Sequence, residues 1–76
     1  MPTGLAGRTT TLTVNGCLRA VPKGATLAEL LAELQLDPRM IVVEHNQTIL
    51  REREEFHTRT LSDGDTLELV HFVGGG

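Results

Sequence analysis

At 76 residues the chain makes one domain, close to the lower size limit at which a hydrophobic core alone supports folding. Its apolar residues are mainly Leu, Val, Ile and Ala, with Phe56 and Phe72 as the aromatics, so little is available for stacking on bases, and a net charge of -3 leaves no basic stripe for a phosphate backbone. These features exclude nucleic acid as a partner, the single Cys17 excludes an internal disulfide and a cysteine-only zinc or iron-sulfur site, and no run approaches the length of a membrane span.

Residues 1–9 contain Pro2, Gly4 and Gly7 with little to bury and are expected to form a mobile arm. This opening lacks the basic-then-apolar layout of a secretory signal, so the expected location is the cytoplasm. From Thr10 the pattern alternates, with Leu12 and Val14 on one side and Thr11 and Thr13 on the other, as in a half-buried strand. Asn15-Gly16 tolerates the two positive φ values of a type I′ turn, and residues 17–21 are the returning strand of a hairpin, ended by Pro22-Lys23-Gly24. Thr26 opens a helix, with Glu29 three residues on to complete a capping box. Leu27, Leu30, Leu31 and Leu34 give that helix one apolar face, and the pattern closes near Gln35 and Asp37-Pro38. The chain has room for this one helix.

Met40-Ile41-Val42-Val43 reads as a strand covered on both sides, and Ile49 with Leu50 as a very short one. The mixed charges of Arg51-Glu52-Arg53-Glu54-Glu55 mark a solvated loop, with Phe56 tucked back as its anchor. Leu61-Ser62-Asp63-Gly64-Asp65 supplies a turn before the last strand, residues 66–73, in which Leu67 and Leu69 alternate with Glu68. Hairpin, helix, strand, long connection and strand assemble as an α+β fold: a mixed four- or five-stranded sheet packed on one main helix, with the first and last strands parallel at its centre. This is the ubiquitin-like, or β-grasp, arrangement. The expected organisation is an arm over 1–9, a folded domain over 10–73 and a glycine tail over 74–76.

Most familiar chemistries have no residues to carry them. There is no glycine-rich phosphate cradle, so the chain would not handle ATP unaided. His45, His57 and His71 show no ligand spacing, Cys17 has no visible partner to activate it, and Asp63 and Asp65 flanking Gly64 are explained by turn chemistry rather than by a metal. What stands out is Gly74-Gly75-Gly76. Glycines are thin enough for a narrow channel and leave the Gly76 carboxylate unobstructed.

The run from Asp63 through Leu67-Glu68-Leu69-Val70-His71-Phe72-Val73 to the glycines, with Val43-Glu44-His45-Asn46 and Asn15-Gly16, resembles the ThiS family of thiamine-pathway sulfur carriers over residues 10–76. The family's terminal Gly-Gly falls on Gly75 and Gly76. The resemblance implies a carrier, not a catalyst, and no intrinsically bound cofactor. An adenylating enzyme similar to ubiquitin-activating proteins (ThiF type) would join Gly76 to AMP from ATP. A sulfur donor such as a cysteine desulfurase would then supply sulfur, giving a thiocarboxylate for thiazole synthase (ThiG type). Residues 73–76, fully extended, reach at most about 14 Å, enough for a recessed active site. Alternation places Glu68, Val70 and Phe72 on one face of the last strand as candidate partner contacts, with Phe72 in the core as the competing placement. A molybdopterin-synthase small-subunit-like carrier, a ubiquitin-like protein modifier and a non-carrier interaction module are the alternatives.

Overall fold

A computed structural model describes residues 8–71. Its elements are β1 (Thr9–Val14), β2 (Cys17–Pro22), α1 (Leu27–Glu33), a 3₁₀ turn (Pro38–Met40), β3 (Ile41–His45), β4 (Thr48–Leu50), α2 (Glu54–Thr58) and β5 (Thr66–His71). Five strands form one sheet in the order β2-β1-β5-β3-β4, with β1 and β5 parallel and the other pairs antiparallel. Asn15 (φ 51) and Gly16 (φ 84) make the turn between β1 and β2. Thr9 already belongs to β1, and the Arg8 carbonyl accepts from the Lys23 amide at 2.7 Å, so sheet structure begins inside the stretch expected as an arm; residues 1–7 lie outside the described part.

The capping box forms as expected: Thr26 Oγ1 accepts from the Glu29 amide at 3.2 Å, and Glu29 Oε1 accepts from the Thr26 amide at 2.9 Å. α1 ends with the Leu36 amide on the Leu31 carbonyl and the Gln35 amide on the Ala32 carbonyl, a paired closure that requires a left-handed residue and finds it in Gln35 (φ 61). Leu27, Leu30 and Leu31 are buried against Leu12, Val14, Val43 and Leu67 from the sheet, so the core lies between α1 and one sheet face.

Two expectations are corrected. The chain holds a second helix: α2 covers Glu54 and Glu55 of the charged stretch and carries Phe56, which is 3% exposed. Its charges are solvated but helical, with Glu55 paired to Arg59 four residues on at 3.0 Å, and Phe56 is the anchor it was expected to be. The run at 40–43 is not covered on both sides. Met40 precedes β3 and is exposed, while Ile41, Val43 and His45 face the core and Val42 and Glu44 are half-buried on the bare side of the sheet.

Candidate functional site

The site is built around β5, which occupies the centre of the sheet and ends at His71. Its entry is locked by polar side chains. Asp63 Oδ1 accepts from the Thr11 amide at 2.7 Å, and the buried Asp65 accepts from the Ser62 amide and Asn46 Nδ2. His45 Nε2 lies 2.8 Å from Asp65 Oδ2, and its Nδ1 lies 3.2 Å from Arg59 Nη1. A guanidinium can only donate, so Nδ1 accepts and Nε2–H donates to the carboxylate. Burial alone would raise the Asp65 carboxyl, but the hydrogen bonds from Asn46, His45 and Ser62 outweigh it and hold the group below its ordinary value. The aspartates thus serve the turn, as their positions beside Gly64 predict, and His45 is structural.

Along β5 the side chains alternate. Leu67 is fully buried and Leu69 packs against the core, which sends Glu68 and Val70 to the outer face, where Val70 is 57% exposed. The register across β3 sets Val70 opposite Val42 and Glu68 opposite Glu44, with Ile49 of β4 beyond Glu44. Ile49 is also exposed, so Val42, Val70 and Ile49 surround a pair of glutamates that face each other. Among the described residues neither carboxylate has a hydrogen-bond or ion-pair partner. Like charges directly opposite on adjacent strands oppose folding. The alternation expected for β5 places Glu68 and Val70 on this face; Glu44, Val42 and Ile49 join it through strand pairing, which is not written locally, and the alternation of Ile41, Val43 and His45 was the available signal.

The candidate residues Phe72, Gly74, Gly75 and Gly76 lie outside the described residues. His57 and His71 are exposed on separate elements, and Cys17 is exposed at the start of β2. No cluster of three or more His, Cys, Asp or Glu able to hold a metal occurs among the described residues, and no described helix is long and apolar enough to cross a membrane.

The sequence profile of the ThiS family matches residues 12–76, from the middle of β1 through the glycines. The chain belongs to the ThiS family. It is therefore a sulfur carrier for thiamine biosynthesis and not a catalyst. The sulfur carrier protein ThiS of Bacillus subtilis (strain 168) is 45% identical over 51 residues, 67% of this chain and 76% of that protein. The crystal structure of the thiamine biosynthesis protein (ThiS) from Geobacter metallireducens superposes with a TM-score of 0.74 at 38% identity, covering 88% of this chain and all of that one, and shares its β-grasp fold. A thiazole synthase of Paramagnetospirillum magneticum (strain ATCC 700264 / AMB-1) is 38% identical over 65 residues; the match takes in 86% of this chain and 20% of that enzyme.

Proposed function

We propose that the Gly76 carboxylate is the sulfur-carrying group. In the first step a carboxylate oxygen attacks the α-phosphorus of ATP on a ThiF-type adenylating enzyme, and pyrophosphate leaves. In the second hydrosulfide attacks the acyl carbon of the mixed anhydride, AMP departs, the sulfur's proton passes to solvent, and a thiocarboxylate remains. In the cell that sulfur would come from a donor such as a cysteine desulfurase, with a thiol reductant bringing its persulfide sulfur to the sulfide level, and the product would pass to a ThiG-type thiazole synthase in the cytoplasm. The carrier needs no resident cofactor for this, since ATP belongs to the partner. The observation that carries the reading is the family match running through Gly76, taken with a central strand, Thr66–His71, that leads toward it in sequence. It favours this chemistry over a molybdopterin-synthase small subunit, a protein modifier or an inert interaction module.

The thiazole synthase relative supports the synthase as partner. A unit like this one accounts for a fifth of that enzyme's chain, and covalent linkage raises the effective concentration of two modules that act together. The partner contacts we assign are Glu68 and Val70 with Glu44, Val42 and Ile49 beside them, and Phe72 by the same alternation. Exposed apolar side chains around two unpaired carboxylates fit a partner surface that is apolar with a basic centre. No Lys or Arg follows Arg59 in the sequence, while Asp63, Asp65 and Glu68 do.

Incubation with the ThiF-type enzyme, ATP and sulfide should change the intact mass by one oxygen-to-sulfur exchange located at Gly76. A chain lacking Gly75 and Gly76 should fold and remain uncharged. An unshifted mass with an enzyme active on its own carrier would refute the proposal.

A further inference from the structure

The two hairpin turns share a device that turn conformation does not demand. Each starts with an asparagine at positive φ, Asn15 between β1 and β2 and Asn46 between β3 and β4, and each asparagine side chain bonds to the backbone of β5. Asn46 Oδ1 accepts from the Thr66 amide at 2.8 Å, at the start of the strand. Asn15 Oδ1 accepts from the Leu69 amide at 2.7 Å, and its Nδ2 donates to the Leu69 carbonyl at 3.2 Å, toward the strand's end. Glycine would satisfy the positive φ at either place, so the carboxamides have a second use.

For Asn15 the use follows from the register. The β1–β5 ladder pairs Thr13 with Thr66 and Val14 with Leu67, then β1 turns away, while the β3 side continues to Ile41 opposite His71. The Asn15 backbone amide donates to the Leu67 carbonyl at 2.9 Å, and its side chain then occupies the position of the next rung. A carboxamide can supply this rung because it carries donor and acceptor together. Without it, β5 beyond Leu67 is held on that flank by nothing that the ladder provides.

We propose that Asn15 is a positioning residue for the chemistry at Gly76: it fixes at Leu69 the central strand that leads toward that end in sequence. The proposal rests on the carrier reading above. A strand that loosens there gives the end more positions to give up before it is aligned with the reacting phosphorus, and misalignment lowers turnover even when the body docks normally.

Asn15→Gly keeps the turn and deletes both side-chain bonds; Asn15→Asp keeps the turn and the acceptor for the Leu69 amide. For the full chain and both variants, amide hydrogen exchange is measured by NMR, and charging by the ThiF-type enzyme with ATP and sulfide is followed by intact mass. In Asn15→Gly, exchange at residues 69–71 should rise roughly tenfold while Leu12, Val43 and Leu67 stay protected, and kcat should fall roughly tenfold with KM unchanged, the loss of a pair of modest bonds. Asn15→Asp should recover part of both. Unchanged exchange at Leu69, unchanged kcat, or a loss shared equally by the core amides would overturn the proposal. A wild-type chain that cannot be charged refutes the carrier reading and the positioning role with it, whereas an uncharged variant beside a charged wild type with intact core protection supports the role.

Discussion

At the scale of single residues, the polar group with most at stake is Asp65. Its carboxyl is held below the ordinary value by Asn46, His45 and the Ser62 amide against the opposing effect of burial. In the unfolded chain an aspartate takes up its proton near pH 4, about 3.9. The folded form resists that proton, so the stabilisation is complete above this pH and is lost as pH falls through the lower folded value. Denaturant midpoints measured from pH 7 to pH 3 should therefore fall below pH 4, and Asp65→Asn should be less stable at neutral pH with a flatter decline. Asp37, lowered to about 2 by the Arg39 side chain and then by its amide, acts in the same direction from an exposed position, which makes the comparison of Asp65→Asn with wild type the informative one. Nitrogen chemical shifts of His45 at neutral pH should report the proton on Nε2; a proton on Nδ1 would contradict the contact with Arg59. None of this network was visible in the sequence. Asp65 reads as a turn aspartate and His45 as an isolated histidine until β3 and β5 bring them together.

At the scale of elements, the two helices differ in what they contribute. Thr26→Ala removes the cap of α1 and should cost about 1 kcal/mol. Phe56→Ala empties a core position held by α2 and should cost about 3–5 kcal/mol, comparable to the whole stability of a domain this small. Circular dichroism and thermal melts should show the first variant folded with a lowered Tm and the second largely unfolded at room temperature. The sequence made α1 legible because four leucines repeat at helical spacing behind a capping box. α2 escaped because one apolar residue in five has no period to read. The Asn46-Gln47 turn escaped because it takes positive φ at both positions without a glycine (φ 51 and 71). The parallel pairing of the first and last strands at the centre of the sheet, by contrast, was foreseen from the helix-bearing crossover between them.

At the scale of the molecule, the outer sheet face sets folding against association. Glu44 and Glu68 repel across the β3–β5 pair, so Glu68→Gln should raise the stability of the free carrier by about a few tenths of a kcal/mol. If the proposed contact is made by this face, the same change should weaken association with the ThiF-type enzyme and flatten its dependence on salt, because one of its two charges is gone. Calorimetric melts of the free chain and titrations at two ionic strengths test the two halves separately. Glu68 and Val70 were legible because period-two alternation is local. Their neighbours Glu44 and Ile49 join them through pairing alone, and the glycines are recognised by composition while lying outside the described residues.

The placement of β5 between β1 and β3 also decides how the domain answers a pull. A pull along β5 acts on a strand paired with β3 over residues 67–71 and with β1 at Thr66 and Leu67, where Asn15 adds its bonds at Leu69, with ladder bonds lying across that axis. Such bonds are loaded together in shear, whereas an outermost strand drawn away sideways unzips one rung at a time. An enzyme that draws on this end, as the proposed charging requires, would then meet a body that behaves as an anchor.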